Sequence, residues 1–115
     1  MAPIPDRINS IINDFVDKLR KEIPVRKAVV FGSYANGSFD AQSDIDIAVF
    51  SDYFETMTRT DGISYLLLKA LEYNVDLEPI AFTSKEYDER LGIVDEIRKT
   101  GLEIEYAETS ETTTL

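Results

Sequence analysis

Residues 28–50 read AVVFGSYANGSFDAQSDIDIAVF, and this stretch decides the fold. Ala28-Val29-Val30-Phe31 is a short β-favouring run stopped by Gly32. Gly32 to Ser43 is dense in Gly, Ser, Asn and Asp, which predicts a loop with room for one helical turn. From Asp44 to Phe50 the chain alternates. Asp44, Asp46 and Ala48 fall on one face, and Ile45, Ile47 and Val49 on the other, which predicts a second strand.

The flanking sequence supplies elements that can cover this pair of strands. Ile8, Ile11, Ile12, Phe15 and Leu19 repeat at the spacing of one helical stripe, with Pro5 and Asp6 at its start and Pro24 past its end. Ile63, Leu66, Leu67, Ala70 and Leu71 form a second stripe, and both stripes are read as faces turned to the core. Val75 to Phe82 reads as a third strand, whose Pro79 restricts pairing and places its far end at an edge or bulge. Thr83 followed by Glu86 is a capping-box pattern opening a third helical region that ends before Gly101. Leu102 to Tyr106 adds a short final strand. The order α-β-α-β-α-β predicts an α/β (α+β) domain, a small mixed sheet with helices packed mainly on one face. Residues 1–107 are expected to form this single domain, and residues 108–115, Glu-Thr-Ser-Glu-Thr-Thr-Thr-Leu, a disordered tail with too little apolar surface to order it.

Composition narrows the chemistry. The chain has 115 residues, 22 acidic against 12 basic, a formal charge of −10, and no Cys, His or Trp. Disulfides, Cys/His zinc sites and imidazole-dependent nucleophiles are therefore excluded within it. The acidity disfavours non-specific binding to nucleic acid and suits a cation. Nothing approaches the roughly 20 apolar residues of a membrane helix, and the N-terminus lacks a hydrophobic signal core, so a cytoplasmic protein is expected. The deficit of positive charge is local, because residues 31–84 carry 9 acidic and only 2 basic side chains.

Three features converge in that region. Gly32-Ser33-Tyr34-Ala35-Asn36-Gly37 follows a strand directly, where glycine lets the backbone bend close to a ligand, and taken alone it is an ordinary strand-ending turn. Asp44 and Asp46 lie two apart on a strand, so their side chains point the same way. Two such carboxylates repel each other unless something compensates, and no Lys or Arg occurs from Val29 through Thr58. A divalent cation is the natural compensation. Asp76, on a separate strand, is a third carboxylate able to complete a metal site or accept a proton, with its same-face neighbour Glu78 a competitor for the role. Tyr34 and Phe39 are read as packing anchors, and Arg59, Lys69 and Lys85 as surface charges.

Together, Gly32, Ser33, Ala35, Gly37, Ser43, Asp44 and Asp46, with Asp76 later, resemble the pattern of the minimal nucleotidyltransferase branch of the DNA polymerase β-like superfamily. The resemblance spans roughly Ile8 to Tyr106. It implies the nucleotidyltransferase fold, with Gly32 and Ser33 at the nucleotide phosphates and Asp44, Asp46 and Asp76 as catalytic and metal-holding residues for two Mg²⁺ ions. It implies ATP as the nucleoside triphosphate substrate and transfer of AMP to a hydroxyl acceptor. Larger members carry a second domain for the acceptor, and about thirty residues after the strand of Asp76 are too few for one. The acceptor is then expected on a partner chain or an oligomer. The branch further implies an antitoxin paired with a helical HEPN-class partner protein, whose basic surface an acidic chain would complement. Two other readings compete. The same fold could neutralise a toxin by masking it without turnover, or transfer nucleotides to RNA, which the charge of −10 disfavours.

Overall fold

The apolar stripe of Ile8, Ile12, Phe15, Val16 and Leu19 is buried along α1, which spans Asp6–Arg20 in the computed structural model; the structure describes residues 3–104. Asp6 sits in its first turn and Lys18 and Arg20 in its last, each placed to favour the helix dipole. After Pro24 the chain enters β1, Lys27–Phe31, and the predicted helical turn follows as α2, Ser33–Asn36. Strand β2, Ile45–Phe50, then runs antiparallel to β1, with Phe31 opposite Asp46 and Lys27 opposite Phe50. A 3₁₀ turn at Asp52–Thr56 leads into α3, Arg59–Ala70, whose first turn is capped by the Thr58 side chain accepting from the Asp61 N–H.

Helix α3 carries the chain across to β3, Leu77–Phe82, parallel to β2, so the sheet is mixed, in the order β3-β2-β1-β4. Strand β3 lies at the sheet edge, as Pro79 requires. Regular pairing begins at Leu77 rather than Val75, and the Asp76 carbonyl still accepts a 2.8 Å bond from the Ile45 N–H. The third helical region is two helices, α4 over Ser84–Glu89 and α5 over Ile93–Thr100. Arg90 and Gly92 break it, because both take left-handed backbone angles, φ 55° and 58°. The final strand, β4, is Leu102–Glu103, extended by a bond from the Ile104 N–H to the Ala28 carbonyl. The remainder of the expected Leu102–Tyr106 strand, and the tail at 108–115, lie outside the described residues.

Alternation along the strands sends side chains to two cores of unequal size. Ala28, Val30, Ile45, Ile47, Val49, Leu77 and Ala81 pack with α1 and α3 into the main core. Val29, Ala48, Phe50 and Phe82 face the other way, under Val94 and Ile97 of α5, with Tyr87 of α4 edge-on to Phe50. The two long helices thus share one face, and only short helices cover part of the other. The α3 stripe is only partly core. Leu66 and Ala70 are buried, but Leu67 is 43% and Leu71 76% exposed.

Candidate active site

The site begins where β1 ends. Gly32 takes φ 74°, and its carbonyl accepts from the Ala35 and Asn36 N–H groups at 3.0 and 3.1 Å, folding the chain straight into α2. A Cβ on Gly32 would collide with Oδ2 of Asp46, so the absent side chain is what lets the Asp46 carboxylate sit against the turn. Ser33 is half-buried on the first turn of α2. Tyr34 and Phe39 stack on each other with ring centroids 4.5 Å apart, and Tyr34 is buried in the main core, so both are anchors. The rest of the loop is braced internally. The Asp40 N–H donates to Ser43 Oγ, and the Gln42 N–H to Asp40 Oδ1, both at 2.8 Å. Ser43 thereby orders the approach to Asp44.

Strand register assembles the acids. Asp46 lies directly opposite Glu78 in the parallel pairing of β2 and β3. Extending that register by one step sets Asp44 beside Asp76, just before each strand begins. By the two-residue period, all four side chains fall on the sheet face of Ala48, Phe50 and Phe82. Asp46 is half-buried; Asp44, Asp76 and Glu78 are exposed. Burial, and then the charge of Asp44, pushes the Asp46 carboxyl above its ordinary value. Glu78 is raised as well, first by a hydrogen bond with Asp44, then by burial and by the charges of Asp44, Asp46 and Asp76. Both shifts favour the protonated form, so Asp46 and Glu78 resist ionisation on their own.

Cations among the described residues do not relieve it. Among the described residues, the ion pairs join Arg59 to Glu86, Lys69 to Glu22, Lys85 to Glu89 and other pairs, none of them reaching these four acids. No three acidic side chains among the described residues close on one cation-sized space. The donors are nonetheless all hard oxygens, held on one face and short of positive charge, which is the chemistry Mg²⁺ takes. The structure therefore brings together Asp44, Asp46 and Asp76 with Gly32 alongside, and sets Glu78, the competitor already named from the sequence, directly opposite Asp46.

On the other side of the same strand ends lies an open groove of about 900 Å³. Ser43 and Asp76 form part of its wall, with Arg7, Leu67, Leu71, Asn74 and Val75. Gly32, Ser33, Asp44, Asp46 and Glu78 lie outside it, so of the four carboxylates only Asp76 is part of its lining. Sequence reasoning missed it, because its walls come from separated segments with no shared motif.

Comparison with known proteins bears on this geometry. The sequence pattern of the nucleotidyltransferase domain matches residues 11–105. A protein of Methanocaldococcus jannaschii, provisionally named a protein adenylyltransferase, is 24% identical over 98 residues, covering 84% of this chain and 87% of its own. The crystal structure of a provisionally named nucleotidyltransferase from Sulfolobus solfataricus superposes with a TM-score of 0.67 at 20% identity, over 90% of this chain and 84% of its own.

Proposed function

The chain belongs to the nucleotidyltransferase domain family, and from that premise we propose that it transfers AMP from ATP to a hydroxyl of a partner protein, using Mg²⁺ held by Asp44, Asp46 and Asp76. The observation that carries this reading is the set of paired carboxylates on β2 and β3, beside the Gly32 turn and without a cationic partner among the described residues. Bound Mg²⁺ would supply charge neutralisation for the triphosphate and lower the pKa of the attacking hydroxyl.

The residues of the chain have separate tasks. Gly32 leaves backbone open for the phosphates, and the Ser33 hydroxyl adds a donor. Asp44 and Asp46 hold the cations in place. Asp76, at the rim nearest the groove, accepts the proton of the incoming hydroxyl. The acceptor oxygen bonds to the α-phosphorus, the bond from that phosphorus to the bridging oxygen breaks, and pyrophosphate leaves. Positioning and charge neutralisation carry such a transfer more than covalent help does. The provisional name of the Methanocaldococcus relative supports a protein acceptor. In the cell, this reading makes the chain an antitoxin that modifies a helical HEPN-class partner.

The test uses ATP labelled at the α-phosphate, Mg²⁺, the full chain, and the protein encoded by the neighbouring reading frame. Label should pass to that protein, and EDTA should abolish transfer. Stoichiometric one-to-one binding with no label on the partner would replace transfer by masking. Label on added RNA rather than on protein would replace the acceptor.

A further inference from the structure

We propose that the groove beside Asp76 is the acceptor groove, and that it takes a hydroxyl-bearing segment of a partner protein with apolar and basic side chains. The proposal rests on the transferase reading above and adds the location and chemistry of acceptor recognition. The groove and the carboxylate face lie on opposite sides of the sheet and meet at the strand ends, where Asp76 lines the groove and its charge acts on Glu78. A segment lying in the groove would therefore pass beside Asp76 at the strand ends, where its hydroxyl has the shortest way round to the carboxylate face.

The lining specifies the occupant. Leu67 of α3 and Leu71, which caps its C-terminus, are 43% and 76% exposed, although they continue the helix stripe that buries Leu66 and Ala70. Isolated exposed leucines are ordinary, but these two form part of the wall of one groove together with Val75. Apolar side chains of a partner would fill it. Its charged lining is Arg7 against Asp40 and Asp76, and the charges of Asp44 and Asp76 both act on Glu78 at the strand ends. That balance favours Lys or Arg near the acceptor hydroxyl and disfavours an acidic segment. At about 900 Å³ the space is at the upper end of small-molecule sites, and it is open to solvent rather than enclosed, which suits a peptide segment.

The experiment follows leucine methyl and backbone amide signals of the labelled full chain by NMR. Two synthetic peptides of equal length serve as probes, each with one Tyr, one otherwise built of Leu and Lys and the other of Ser and Glu. The Leu/Lys peptide should shift the Leu67 and Leu71 methyls saturably, and the Ser/Glu peptide should not. Leu71→Asp, at an exposed position, should weaken the first peptide by about tenfold or more. ATP with Mg²⁺ should shift the Gly32 and Ser33 amides in both forms of the chain, and leave Leu67 and Leu71 in place. The proposal is overturned if ATP moves Leu67 and Leu71 as much as Gly32, which would make the groove a nucleoside pocket. It is also overturned if the Leu/Lys peptide binds elsewhere or not at all, or if the Leu71 signal shifts with protein concentration alone, which would make a second copy the occupant. An ATP titration that leaves Gly32 and Ser33 unmoved overturns the transferase reading instead, and the peptide titration still decides the groove.

Discussion

Asp46 and Glu78 face each other across the parallel pairing of β2 and β3, and both carboxyl groups are pushed above their ordinary values. For an acid, a folded-state pKa above the unfolded one means the folded chain holds the proton more tightly. Stability from such a group is present at low pH and is lost as pH rises from the ordinary carboxylate value through the raised one. The site thus works against the fold at neutral pH unless cations neutralise it. In EDTA, Asp46→Asn is expected to melt at a higher temperature than the parent at pH 7, with the gap closing toward pH 4. Thermal scans across that range check it, and a gap that widens on acidification would contradict the assignment.

Activity should respond oppositely. Asp44→Asn or Asp46→Asn is expected to reduce nucleotidyl transfer by about 10²–10³-fold or more, on the scale of removing a preorganised electrostatic group from an active site. Circular dichroism should show the fold retained. Mg²⁺ should raise the melting temperature of the parent and do so much less in the double variant.

Gly32→Ala combines two penalties. The backbone at φ 74° is unfavourable for a residue with a side chain, and the new Cβ would displace the Asp46 carboxylate. Strain of this kind costs about 1–3 kcal/mol. Urea denaturation should show that loss, and binding of ATP with Mg²⁺ should weaken beyond what the stability loss explains.

Much of this arrangement could be read from residue order, and the exceptions have physical causes. The alternation of Asp44 to Phe50 located β2 and the face of its acids, and the Thr83–Glu86 pattern located the start of α4. Pairing between strands is not written in either segment. That Asp46 meets Glu78, and Asp44 meets Asp76, follows from a parallel register set by the crossover through α3. The break at Arg90 was hidden because a non-glycine residue takes the left-handed conformation there. Leu67 and Leu71 satisfied the helical period as well as Leu66 did; a period gives direction around a helix and not how far the neighbouring layer extends.

Gly62 shows packing at its tightest. A Cβ there would lie 2.8 Å from Cβ of Ala81 and 3.1 Å from Cδ1 of Phe54, so the glycine sets the approach of α3 to β3. Gly62→Ala should gain up to about 1 kcal/mol in helix propensity and lose about 1–3 kcal/mol to overpacking. A net destabilisation is expected in urea titrations. Ala81→Gly in the same chain should recover part of it, and strict additivity of the two losses would show that the contact is not the cause.

Glu86 closes two structures at once. Its carboxylate accepts from the Thr83 N–H while Thr83 Oγ1 accepts from the Glu86 N–H, and the same carboxylate pairs with Arg59, which also donates to the Ala81 carbonyl at 2.6 Å. Hydrogen bonding to Arg59 is the leading cause that holds the Glu86 carboxyl below its ordinary value. Its contribution is therefore present above the ordinary carboxylate pKa and lost as pH falls through the lowered one, opposite in sign to Asp46 and Glu78. Thr83→Ala should cost about 1 kcal/mol at all pH values, since the lost cap does not titrate. Glu86→Gln can keep the cap through its amide oxygen but loses the ion pair, so its deficit should be clear at pH 7 and shrink below pH 4. Parallel melting curves of the two variants separate the cap from the charge, and a deficit for Glu86→Gln that stays constant down to pH 3 would remove the ion pair from the account.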